Sequence, residues 1–194
     1  MFTWRQNSPR LLQLIEQLET LGYFRYVEPG KLSGVKSSFM RKPSLSSLQA
    51  NREFGFPSWR VGPDARTCQL ANFIRSLFPI FKDIGIHIKE MEEHNSSEGH
   101  WIVIDGQRFE LALPQRVRAS AAGQSLEEYK TPRSFAVINK LFEDAQSEER
   151  IYYSKLEYYD HRGHVMPTAA YDLLMQYKIE GANDLVLYDA DELV

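Results

Sequence analysis

Three features of the sequence predict an α+β fold, with amphipathic helices packed on an antiparallel or mixed sheet. Four segments repeat apolar residues at helical spacing, and Asp105-Gly106 sits between two alternating strands. Helices and strands are interspersed, and the best-defined strand pair is that hairpin, which argues against a regular parallel sheet. At 194 residues, against roughly 100 to 200 per domain, the chain reads as a single domain over 1–194, with 1–63 as a candidate helical N-terminal subdomain.

The first helix is predicted over residues 8–21, capped by Asn7 or Ser8, opened by Pro9 and ended by Gly22. Leu11, Leu14, Ile15 and Leu18 share one face, so it docks on a core. Gly, Pro and Ser punctuate residues 23–63, where 23–27 read as an extended piece, 32–40 as a short helix, and Pro43-Ser44 as the start of another. Asp64 caps a long helix ending at Gly85, with Leu70, Phe73, Ile74, Leu77, Phe81 and Ile84 on one arc. Pro79 falls opposite that arc, which predicts a kink and not two helices.

Beyond Gly85 the period changes to two. Ile86 and Ile88 alternate with His87 and Lys89, and residues 100–104 and 107–113 flank the hairpin turn. A two-residue turn sets Ile104 opposite Gln107, Ile102 opposite Phe109 and His100 opposite Leu111, so Ile102, Ile104, Phe109, Leu111 and Leu113 face the helices. Trp101, Val103, Arg108 and Glu110 form the other, mixed face. Residues 114–130 make a long connection. Thr131 caps and Pro132 opens a helix with Phe135, Ile138, Leu141, Phe142 and Ala145 on one side. A strand over 150–158 and a turn over 160–163 follow. Ala170, Leu173, Leu174 and Tyr177 mark a last helix closed by Gly181, and 185–188 a closing strand.

Apolar residues make up 43% of the chain and charged residues 25%, which builds a core and excludes collagen-like and disulfide-scaffold classes. No stretch approaches ~18 uninterrupted apolar residues, and the opening Met1 to Arg5 has no signal-peptide pattern, so a cytoplasmic location without membrane contact is expected. The single cysteine, Cys68, cannot form an internal bridge or a thiolate zinc site. Charge is asymmetric: residues 1–60 carry +5 and residues 61–194 carry −8, for the net −3. Such a balance disfavours nucleic acid as the partner.

Candidate chemistry is sparse. Asp160, His161 and His164 make a D-H-x-x-H cluster suited to zinc or iron, although Asp and Gly there also serve a simple turn. His94 and His100 lie near Glu90, Glu92 and Glu93; Glu90 and Glu92 share one strand face, conceivable as paired carboxylates but more simply a solvated acidic edge. Cys68 falls in the first turns of a helix, where a thiolate is stabilised, but no base accompanies it. The run over residues 31–42, with Lys36, Arg41, Lys42 and several serines, is able to bind phosphate or simply to form a solvated face. The commonest nucleotide-binding, hydrolase and metalloprotease motifs are absent.

The remaining signal is aromatic, since eight of the ten tyrosines lie between Tyr129 and Tyr188. Tyr152 and Tyr158 would face one side of a strand and Tyr153 and Tyr159 the other, so either one face is an exposed aromatic patch or the tyrosines merely edge the sheet with their hydroxyls in water. The leading expectation is therefore a non-enzymatic protein-binding domain that needs no cofactor. It would engage a basic partner through Tyr153, Tyr159, Trp101, Asp189 and Asp191, for instance as an immunity-type inhibitor of a bacterial toxin. The competing expectation is a metal-dependent or ligand-binding enzyme centred on Asp160, His161 and His164.

Overall fold

The computed structural model describes residues 9–48, 69–113, 127–156, 160–189 and 193, with the side chains of 127–130 and 155–162 left undescribed. Asn7, Ser8, Asp64, Cys68, Arg116, Arg118, Tyr158, Tyr159 and Asp191 lie outside these residues. Pro9 supplies the φ of a first helical turn, and α1 (Pro9–Thr20) buries Leu11, Leu14, Ile15 and Leu18 as the spacing predicts. The chain then turns through 21–27 instead of extending, because Gly22 takes φ +70 and Tyr23 N–H bonds back to Leu18. Two short helices, α2 (Leu32–Arg41) and α3 (Leu45–Leu48), follow.

The segment expected as one kinked helix is two, α4 (Leu70–Ser76) and α5 (Phe78–Ile84), broken at Leu77. Pro79 falls in the first turn of α5, where its missing N–H has no intrahelical partner to lose, so a fresh start suits it better than a kink. Residues 86–90 form no strand. Pairing begins at β1 (Met91–Ser96), which runs antiparallel to β2 (Gly99–Ile104), itself paired with β3 (Gln107–Ala112). The hairpin keeps Ile104 opposite Gln107 and Ile102 opposite Phe109, but a bulge between His100 and Trp101 moves His100 opposite Ala112. Beyond it Ala112 is buried and Leu113 is exposed, not inward.

The next helix, α6 (Glu127–Asp144), starts four residues before the predicted cap, so Thr131 lies inside it and Pro132 occupies its sixth position. Ser134 through Asn139 are buried at six consecutive positions, more than one amphipathic face can supply. The reason is that α6 packs on β3 and also on β4 (Glu149–Leu156), the central strand of a second sheet. That sheet is ordered β5-β4-β6, all antiparallel, with β5 (Asp160–Pro167) and β6 (Leu185–Leu187) at its edges. Before β6, α7 (Thr168–Gln176) ends on Lys178 at φ +54 and not on Gly181. Seven α-helices and two three-stranded antiparallel sheets among the described residues make the fold α+β.

Both faces of β4 are dry from Ile151 to Ser154. Ile151, Tyr153 and Val165 join the core built by α4, α5, α6 and the first sheet; Tyr152 and Met166 join the core built by α1, α2, α3 and α7. Gly163, opposite Tyr153, permits the close layer packing, since a Cβ there would lie 2.5 Å from Ile151, 2.8 Å from Phe135 and 2.9 Å from Phe73. Its place in β5 explains a missed strand: the glycine that suggested a turn is needed for contact.

Tyr152 stacks on Tyr171 with centroids 4.5 Å apart, and its hydroxyl has no hydrogen-bond partner of normal geometry. Burial pushes the phenol up from 10.0 to about 12, partly offset by the Thr168 hydroxyl. The fold thus favours the neutral phenol, whose contribution is complete below pH 10 and lost as pH rises through 10 to 12. Alkaline titration of the unfolding free energy is expected to lose at most about 3 kcal/mol over that window. Tyr152→Phe should abolish this component without lowering stability at neutral pH, because the removed hydroxyl is unsatisfied. An unchanged alkaline limb in that variant would refute the assignment.

Candidate functional site

Strand alternation gives the first sheet two unlike faces. Ile102, Ile104, Phe109 and Leu111 turn toward the helices, while Glu92, His94, Trp101, Val103, Arg108 and Glu110 occupy the other face. On that face the His94 ring stacks on the Trp101 indole, with centroids 5.1 Å apart and planes 18° from parallel. The Arg108 guanidinium lies 4.1 Å from the Trp101 ring centroid, and its Nε donates to Glu110 Oε1 at 2.6 Å. Register explains this assembly: His94 and Glu110 both pair with Trp101, and Arg108 pairs with Val103 two residues along, on the same face. Glu92 Oε2 lies 3.5 Å from His94 Nε2. The face stays open enough to expose Arg108 by 52% and Glu92 by 76%, while Trp101 and Val103 are half-buried.

Two imidazoles are sealed inside. His100 Nε2 lies 2.6 Å from Glu93 Oε1, and Glu93 Oε2 accepts the Ala71 N–H at 2.8 Å, tying β1 and β2 to the start of α4. Both side chains are at least 94% buried. His164 Nε2 lies 2.6 Å from Ser154 Oγ, with both residues fully buried. Neither pair has the access to substrate that a nucleophile and base require. Their geometry serves packing.

The sequence-predicted site residues separate. Trp101 lies on the open face of the first sheet. Tyr153 does not form an exposed patch: it is buried against Phe135 at 5.2 Å and Tyr188 at 6.0 Å, because α6 covers that face of β4. Asp189 is exposed beyond β6, and Tyr159 and Asp191 lie outside the described residues. Residues 160–163 form strand and not the expected turn, and His164, in the same strand, is buried. Among the described residues, no group of three or more His, Cys, Asp or Glu side chains is placed to hold a metal ion. No helix among them is long and apolar enough to cross a membrane. Glu93 was assigned no role from sequence; the signal for its inward face was that it shares the parity of apolar Met91, which the structure pairs with buried Ile104.

No family model, curated protein or solved structure matches the chain.

Proposed function

We propose that the chain is a non-enzymatic protein-binding domain, acting in the cytoplasm, whose contact surface is the open face of the first sheet. The observation that carries this reading is the His94, Trp101 and Arg108 stack. Trp and Arg dominate binding hot spots because they bury large, pre-ordered area, and here each ring or plane is already held by its neighbour, which lowers the ordering entropy of association. Exposed Glu90, Glu92 and Glu98 border the stack along β1 and the turns at its ends. Their charge suits a basic partner and would accelerate encounter with it. Inhibition of a toxin, in the manner of immunity proteins, is one concrete form of such a role.

A photo-crosslinker installed at Val103, beside the stack, is expected to yield one discrete adduct with a basic protein. Direct titration of that partner should then weaken by about 30-fold in Trp101→Ala, the loss of a hot-spot residue worth roughly 2 kcal/mol. Unchanged affinity in a folded Trp101→Ala variant would exclude this surface.

A further inference from the structure

We propose that the open cavity between the start of α1 and the C-terminal ends of α2 and α7 is a binding site for the phosphate group of a small molecule. The cavity has a volume of about 500 Å³ and is lined by Arg10, Arg41, Lys42, Pro43, Tyr177, Lys178 and Glu180. That volume falls within the range of small-molecule sites, roughly 300 to 1,000 Å³. Among the described residues, three separate stretches of a chain of net charge −3 deliver four cations to it, against one carboxylate.

Helix dipoles account for only part of this charge. The C-terminal ends of α2 and α7 each contribute roughly half a negative charge, which Arg41, Lys42 and Lys178 are placed to offset. Subtracting both ends and Glu180 still leaves a surplus of about two positive charges, the complement of a phosphate monoester, which carries roughly −1.5 to −2 at neutral pH. Three of these cations, moreover, form no ion pair with the described residues. Lys31 and Lys36, from the same stretch of chain, pair with Glu28 and Glu19, whereas Arg41, Lys42 and Lys178 form no ion pair among the described residues.

Backbone conformation adds an independent sign. Ile179 N–H bonds to Leu174 O and Lys178 N–H to Met175 O, both at 3.0 Å, so Lys178 fills the left-handed position that closes α7. Glycine takes that conformation without steric cost and is the usual occupant. A lysine there is conformationally unfavourable, and it lines the cavity. The walls are also fixed: the Arg10 guanidinium lies 5.0 Å from the Tyr177 ring centroid, and the Tyr177 hydroxyl donates to Gln17 Oε1 at 3.3 Å. Convergence of these cations on one cavity, among the described residues, favours a small phosphorylated ligand over a nucleic-acid backbone.

Calorimetric titration of the intact chain with inorganic phosphate, pyrophosphate and adenosine monophosphate, at constant ionic strength, tests the site. Saturable one-to-one binding is expected. Adenosine monophosphate binding tighter than phosphate would assign the cavity to a phosphorylated organic molecule, and equal affinity to the free ion. Lys178→Gly should weaken the tightest of these about tenfold, the loss of one charge-assisted contact, while raising the melting temperature, so lost binding cannot be ascribed to misfolding. Arg41→Gln should weaken it similarly, and Lys36→Gln should leave it unchanged. The proposal is overturned if no probe saturates, if Lys36→Gln weakens binding as much as Lys178→Gly, or if a 12-nucleotide single-stranded RNA binds more tightly than every small probe.

Discussion

Asn139→Ala is expected to lower the unfolding free energy by about 3 to 5 kcal/mol, a large fraction of what a domain of this size possesses. Asn139 is fully buried on α6, and its Nδ2 donates to Ile151 O at 3.0 Å and Tyr188 O at 2.7 Å, while its Oδ1 accepts the Ile151 N–H at 2.8 Å. The reason lies in the sheet. β6 pairs with β4 only from Tyr152↔Leu187 to Ser154↔Leu185, and the next opposed pair would be Ile151 with Tyr188. There the strands part, and the Asn139 amide fills the gap, satisfying groups on both. Truncation strands three backbone groups away from water, each worth roughly 1 to 3 kcal/mol. Asn139→Leu separates hydrogen bonding from volume, because it restores bulk and no polar partner; it should lose nearly as much in urea denaturation. A loss below 1 kcal/mol in both variants would show that water replaces the amide at no great cost.

The same arrangement explains which parts of the fold were legible in the sequence. The hairpin at Asp105-Gly106 was, because turn chemistry and period-two alternation agree there and one face is dry. Trp101 on the open face follows from the same parity. β5 was not, because Asp160 and Gly163 are turn-forming residue types, and nothing local says that Gly163 lies where Phe73 and Phe135 come too close for a side chain. Tyr153 was misplaced for a related reason. Alternation divides Tyr152 from Tyr153 correctly, but whether each side is covered depends on α6 and α7, which arrive from elsewhere in the chain. The start of α6 was hidden by Pro132, which usually marks a first turn; at the sixth position it costs one intrahelical hydrogen bond, next to first-turn N–H groups that have no intrahelical acceptor. The cavity cations were individually visible, but their convergence is a property of tertiary structure, since Arg10, Arg41 and Lys178 are far apart in sequence.

Glu93→Ala is the second large effect, expected at about 3 to 5 kcal/mol, because it breaks a buried charged or polar pair from one side only. The carboxylate has two duties. One oxygen meets His100 Nε2 at 2.6 Å, and the other accepts Ala71 N–H in the first turn of α4, whose own cap residue, Gln69, makes no side-chain cap bond. Removing it leaves the imidazole of His100 buried with neither ring nitrogen bonded, since its Nδ1 already has no partner. Glu93→Gln keeps the shape, an acceptor and a donor, so its loss should be markedly smaller. A double-mutant cycle with His100→Ala isolates the contact: coupling of about 2 kcal/mol or more is expected, and additive single effects would show that the two side chains act separately. The consequence reaches the proposed interface. β1 is an edge strand held by β2 on one side, and Glu93 is its anchor to α4, so β1 and α4 should lose amide-exchange protection together in Glu93→Ala. His94 follows Glu93 on the opposite face. Loosening β1 therefore frees the His94 ring from Trp101, and partner binding through that face should weaken even though Glu93 itself points the other way.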